Sequence, residues 1–306
     1  MSWLVVKALF ERLSTMEREE ADMKIGVMVD SLQLGVREGI LKARSLGAEG
    51  VQLYAVSGAM APENLDGAQR KDLLAFVRRE GMVITALCGD PGGHGFADPE
   101  RNPARIERSR RIMELAVDLD CSVVTTHIGV IPAERNHPRY AVLAAACEDL
   151  GRFGDGIGAR FAIETGPESA LVLRTFIEGL SSGGVRVNLD PANFVMVTGQ
   201  DPAESVEILK PYIVHTHAKD GRMLRKTDPE TIYGFFADGG IEDMRMEDYF
   251  LETPLGEGQV DFSAYLAALK RIGYGGWLTI ERETGSDPAA DIGMAIRFLR
   301  AKLAGS

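Results

Sequence analysis

Long apolar runs are absent from this 306-residue chain. None approaches the roughly 18 uninterrupted hydrophobic residues that a bilayer-spanning helix needs, so no membrane partner is expected. Cysteine is scarce: Cys88, Cys121 and Cys147 are odd in number and lie far apart, without zinc-type spacing. That excludes a disulfide framework and a structural zinc site, and the reduced cytoplasm is the expected compartment. Basic charge is in deficit, with 34 Lys+Arg against 45 Asp+Glu. A nucleic-acid partner would require a basic stripe. The closest approach, the arginines between Arg105 and Arg111, interleaves with Glu107 and Ser109 and reads as a solvated helix face. There is no Walker-type loop, and no GxGxxG follows the first apolar run, so no organic cofactor is expected. The first residues lack a basic segment and a small-residue cleavage site. Residues 1–22 therefore read as an amphipathic extension ahead of one domain spanning 23–306.

What is present is a rhythm. Short β-rich apolar runs recur at Lys24 to Met28, Gly50 to Tyr54, Met82 to Leu87 and Ser122 to His127, then at Arg160 to Glu164, Val185 to Asp190, Tyr212 to His217 and Gly276 to Glu281. Segments of helical period separate them. Asn102-Pro103, Asp201-Pro202 and Asp287-Pro288 each read as an N-cap followed by a first-turn proline. Eight strand–helix alternations imply parallel pairing and a single closed (βα)8 TIM barrel, an α/β fold. One interval breaks the pattern, a long insertion from Gly221 to about Leu255 between the seventh and eighth barrel strands. A segment of that length is a candidate lid or subunit contact.

In such a barrel the C-terminal strand ends share one mouth, where active sites lie. Four strands end in Glu164, Asp190, His217 and Glu281. The first three are spaced 26 and 27 residues apart, one strand–helix unit each, and the last gap is one unit plus the insertion. Alternation turns Glu164, Asp190, His217 and Glu281 inward, with Asn188 and His215 below them. Three carboxylates in one mouth repel one another unless a cation joins them. Three oxygens and one imidazole suit Mn²⁺ first, with Mg²⁺, Co²⁺ and Zn²⁺ as alternatives.

The segments AIETG, VNLDPANF, VHTHAKD, PLGEGQVDF and LTIERETG resemble the xylose isomerase-like barrel superfamily, the sugar phosphate isomerases and epimerases. That group includes ketose 3-epimerases and inosose dehydratase. The resemblance runs from Lys24 to Leu303. It implies that Glu164, Asp190, His217 and Glu281 bind one divalent metal, with His215 behind them. It also implies that Glu164 and Glu281 act as base and acid on the carbon beside a ketose carbonyl, through an enediolate. The expected activity is a metal-dependent isomerase or epimerase of a small keto-carbohydrate. A lyase acting on a keto-inositol or keto-glycoside is the alternative.

The sequence departs from the ketose 3-epimerases at several points. Asn193 stands where they carry a histidine, and Ala170 where they carry a further glutamate, with Glu168 two residues earlier. Arg222 is only a loose counterpart of their arginine beyond the HxH segment. Candidate substrate contacts are His127, Glu168, Asn193, His215, Lys219 and Arg222, together with His94 in the glycine-rich GDPGGHGF loop. Lys219 would grip an oxyanion or relay a proton, or else be held in a salt bridge to Asp220 or a barrel-top acid. Tyr54, Phe235 and Phe236 are candidates for the pocket wall or for packing. A homo-oligomer, dimer or tetramer, is expected, with the extension and the insertion as contact surfaces.

Overall fold

The computed structural model describes residues 22–241 and 244–305, so the N-terminal extension lies, but for Asp22, outside the described residues. The eight apolar runs form the barrel. Its strands are β1 (Lys24–Met28), β2 (Gly50–Tyr54), β3 (Val83–Cys88), β4 (Val123–Thr126), β5 (Arg160–Glu164), β6 (Val185–Leu189), β7 (Ile213–Ala218) and, after two strands of the insertion, β10 (Trp277–Ile280). They pair in parallel and close in the order β1-β10-β7-β6-β5-β4-β3-β2. The helices outside are α1 (Val36–Leu46), α2 (Gly67–Arg79), α3 (Asn102–Asp118), α4 (Pro138–Ile157), α5 (Ala170–Glu178), α6 (Pro202–Leu209), α8 (Phe262–Arg271) and α9 (Pro288–Ala304). This is a single (βα)8 TIM barrel.

The core lies mostly between strands and helices. Phe161, Ile163, Val185, Val187, Leu189, Leu278 and Ile280 project from the strands and are at most 1% exposed. Each large apolar side chain buried in this way is worth about 1.5–3 kcal/mol. A second, small cluster of Ala86, Val123 and Ala162 packs apart from the first, with Val214 against it. Ala162 shares the face of Glu164, so apolar packing gives way to polar chemistry along one strand.

The aspartates at Asp201 and Asp287 cap α6 and α9 as expected, accepting from Ala203 and Ala290 N–H. Asn102 does not cap α3. It is the helix's first residue, and its amide donates 2.9 Å to the Phe96 carbonyl, fastening the helix to the loop after β3. That loop is tight. Gly95 has φ +57°, and a Cβ there would run into the backbone of Ile128 in the next loop.

The described part of the insertion forms regular elements rather than an open loop. Its strands β8 (Asp220–Met223) and β9 (Phe250–Thr253) form an antiparallel ladder, and between them runs helix α7 (Pro229–Asp238). Asp220 anchors the base of this ladder by accepting four backbone N–H bonds, from Gly221, Gly256, Gly258 and Val260. Glu230 of α7 pairs with Arg139, and Asp238 pairs with His94 at 2.9 Å, so the helix is tied to the first turn of α4 and to the loop after β3. Among the described residues, no helix is long and apolar enough to cross a membrane.

Candidate metal centre

Four consecutive features of the barrel deliver the predicted ligands. Glu164 ends β5, Asp190 follows β6, His217 lies on β7 and Glu281 follows β10. Each offers one ligand atom, and these atoms all lie within 4.8 Å of one another. From His217 Nδ1 the nearest oxygens are 3.3 Å away on Glu281, 3.4 Å on Asp190 and 3.5 Å on Glu164. All four residues are buried.

The donor set fits a divalent cation. Asp190 Oδ1 accepts from the N–H groups of Ala192 and Asn193, while Oδ2 is buried without a hydrogen-bond partner. A buried carboxylate oxygen left bare is costly unless a cation or donor meets it. Burial disfavours charge on His217, but Glu281, Glu164 and Asp190 outweigh it and hold the ring protonated well above its ordinary range. The imidazolium is the positive charge these carboxylates demand, and a metal ion would supply it instead. Gln52 Oε1 faces His217 Nε2 at 3.1 Å, and its amide donates to Thr125 at 2.8 Å. With Nε2–H donated to Gln52, the ring presents Nδ1 to the cluster.

Beneath the cluster His215 is sealed in, with Nδ1 2.8 Å from Asn188 Oδ1 and Nε2 3.0 Å from Thr279 Oγ1. Burial, reinforced by the charge of His217, pushes its pKa well below the usual value, so it is a neutral strut. Asn188 also reaches Glu164 Oε2 at 3.3 Å. Asn193 touches the opposite oxygen of Glu164 at 3.4 Å, placing it beside the predicted base.

The two glutamates meet different neighbours. Lys219, 4% exposed, donates 3.0 Å to Glu281, contacts Glu283 and lies 3.8 Å from Glu252. Burial works against its charge, but Glu281 and Glu283 hold it as an ammonium far above the usual lysine range. Of the two expected kinds of salt-bridge partner, it therefore has the barrel-top acids and not Asp220. Glu281 is depressed below the ordinary carboxylate range, burial being overcome by Lys219 and His217. On the other side His127 lies 3.8 Å from Glu164 and 3.0 Å from Asp90. Burial opposes its protonation, but Glu164 and Asp90 raise the ring to about 10.

The remaining candidates are placed farther out. His94 is spent on Asp238 at the rim. Arg222 is exposed and turned to the Glu257 carbonyl in the loop between β9 and α8. Phe235 and Phe236 meet edge to face with centroids 5.5 Å apart, and Phe236 is 59% exposed, so they pack within the insertion. Tyr54 ends β2 near enough to the cluster for Glu281 and Glu164 to help raise its pKa, after Cys88 and burial. Sequence reasoning missed Gln52, Asp90, Glu252, Glu283 and Tyr233. Glu283 alone carried a signal, sharing the strand-end parity of Glu281.

Residues 40–302 match the family described as xylose isomerase-like TIM barrel. Over 198 residues the chain is 28% identical to the uncharacterized protein MJ1311 of Methanocaldococcus jannaschii, which covers 60% of this chain and 58% of that relative. Among solved structures, a xylose isomerase domain protein from Planctomyces limnophilus superposes with a TM-score of 0.75 at 27% identity, covering 93% of this chain and 99% of its own. A D-tagatose 3-epimerase-like protein gives 0.67 at 21% identity, with coverage of 92% and 98%. The probable 3-DHS dehydratase AsbF of Bacillus anthracis gives 0.68 at 17% identity, with coverage of 91% and 99%. The last two share the fold. With the matched region extending over most of the barrel and its mouth, the chain belongs to the xylose isomerase-like TIM barrel family.

Proposed function

We propose that the protein is a divalent-metal-dependent isomerase or epimerase of a ketose or related keto-carbohydrate, Mn²⁺ being the metal the donor set favours. The observation that carries this reading is the convergence of Glu164, Asp190, His217 and Glu281 within 4.8 Å, with Asp190 Oδ2 buried, without a hydrogen bond, and facing His217 Nδ1 at 3.4 Å. When bound, a divalent cation there neutralises the carboxylates and polarises a substrate carbonyl.

The residues of the chain do the rest. Glu164 and Glu281 come from β5 and β10, with β6 and β7 between them, so they address a bound sugar from different sides. One, entering ionised, takes the proton next to the carbonyl, and the other, entering protonated, gives its own proton to the opposite face, inverting the centre. Asn193 orients Glu164, and Lys219 keeps Glu281 ionised. Placed beside Glu281 and charged, Lys219 also supports the second reading. In a lyase it would protonate a departing hydroxyl while a glutamate takes the carbon-bound proton.

Proton exchange followed by NMR in D₂O with Mn²⁺, across ketoses, keto-inositols and keto-glycosides, tests both. Deuterium entering with a new epimer supports the isomerase, and loss of water or an aglycone supports the lyase. Unchanged turnover in Glu164→Gln and Glu281→Gln would overturn the assignment of the proton carriers.

A further inference from the structure

Helix α7 brings to the mouth one side chain that the proton transfer above does not use. The hydroxyl of Tyr233 occupies the space that a Cβ on Gly166, two residues after Glu164, would fill, and Asn193 closes the same space from the other side. The Tyr233 ring lies 5.7 Å from the ring of His127, which itself reaches Glu164. A helix of the insertion thus places a phenol beside the metal cluster.

The second observation concerns Glu168. It is 7% exposed. Oε2 accepts from the Ile131 N–H at 3.3 Å, and Oε1 is buried without a partner. Burial pushes this carboxyl up to about 8, and the only positive group drawing it back is His127. Tyr233 is raised well above its ordinary value by burial and by Glu164, Glu168 and Asp190. Near neutral pH the two side chains are therefore an uncharged acid and an uncharged phenol, each able to donate and accept one hydrogen bond. The nearby cations are engaged elsewhere: the His127 imidazolium by Asp90 and Glu164, Arg139 by Glu230, Arg222 by a carbonyl, and Lys219 by three carboxylates across the mouth.

We propose that Glu168 and Tyr233 form a wall that reads the uncharged hydroxyl groups of a non-phosphorylated sugar and turns phosphorylated sugars away. This rests on the carbohydrate reading of the metal cluster. A phosphate ester brings between one and two negative charges. Here it would meet the negative charge of Glu164 and Asp190, an acid and a phenol with only one hydrogen bond each to give, and no lysine or arginine free to neutralise it. A sugar hydroxyl instead satisfies the bare Oε1 and the phenol together.

The test is calorimetric titration of the Mn²⁺-loaded protein with D-fructose and D-tagatose and with the 6-phosphate of each. The free ketoses should bind about tenfold more tightly than their phosphates, which is the loss expected when a buried group is left unpaired. Tyr233→Phe and Glu168→Leu should each weaken free-ketose binding by about tenfold with Mn²⁺ affinity unchanged. Glu168→Gln, which keeps a donor and an acceptor in uncharged form, should bind nearly as the parent does. Tighter binding of the phosphates, or parental affinity in both Tyr233→Phe and Glu168→Leu, would overturn the wall alone. Binding of Mn²⁺ with no ketose of either kind would overturn the carbohydrate reading as well.

Discussion

Replacing Glu168 by glutamine should stabilise the protein, and increasingly so as pH rises. A glutamate in the unfolded chain ionises near 4.5, whereas burial holds Glu168 in the folded protein up to about 8. Between those values the unfolded chain has lost this proton and the folded one keeps it. Folding takes up a proton, so stability falls as pH climbs from about 4.5 to about 8 and levels off beyond. At roughly 1.4 kcal/mol per unit, the span of about 3.5 units sets a ceiling near 5 kcal/mol. Relaxation around the ionised group will return part of it. Glutamine has no proton to lose, and its carbonyl can still accept the Ile131 N–H. Urea unfolding in chelator at pH 5, 7 and 9 measures the difference through the transition midpoint. Parent and variant should be alike at pH 5, with the variant ahead by at least about 2 kcal/mol at pH 9. A gap that does not change with pH would refute the burial argument, as would a variant weaker at pH 9.

Other expectations follow from the same geometry. Mn²⁺ at about 100 times its Kd should add about 2.7 kcal/mol of stability, seen as a rise in Tm. Asp190→Asn should lose most of that rise, and a parent Tm indifferent to every divalent cation would remove the metal centre. Lys219→Met leaves buried Glu281 with His217 as its remaining positive neighbour and should cost about 3 kcal/mol in chelator, by urea unfolding. A loss below about 1 kcal/mol would show the ammonium to be dispensable. Gly95→Ala forces a Cβ onto the Ile128 backbone at positive φ and should lower stability by about 1–3 kcal/mol. Unchanged thermal unfolding would show that these loops can part freely.

The barrel was legible because strands packed on both faces read as apolar runs, and the runs recur at the period of a strand–helix unit. The four ligands were legible for a related reason: equal spacing on equivalent strands forces equal height in the mouth. Arg222 and His94 carried chemistry plausible for a site, but their partners, the Glu257 carbonyl and Asp238, are set by how the insertion folds back. No local pattern encodes that. Tyr233 was invisible for the same reason, since its place depends on a glycine 67 residues earlier in the chain. Glu252 read as one acid among many in the insertion. It is buried because β9 carries it to Arg282 at 2.6 Å and to the backbone of Glu283.

The ladder at the root of the insertion has an evolutionary corollary. Met223 and Phe250 stand opposite each other across β8 and β9, so the chain leaves and re-enters the barrel at nearly one point. A turn of two residues would span that gap. The stretch from 224 to 249 is therefore a cassette: barrel closure needs none of it, nor do the four strand-end ligands. Exchange or remodelling of the cassette can replace the residue at the position of Tyr233 while the proton chemistry beneath stays fixed. Under the proposed function, related barrels can thus diverge in the sugar they accept without rebuilding the four strand-end ligands.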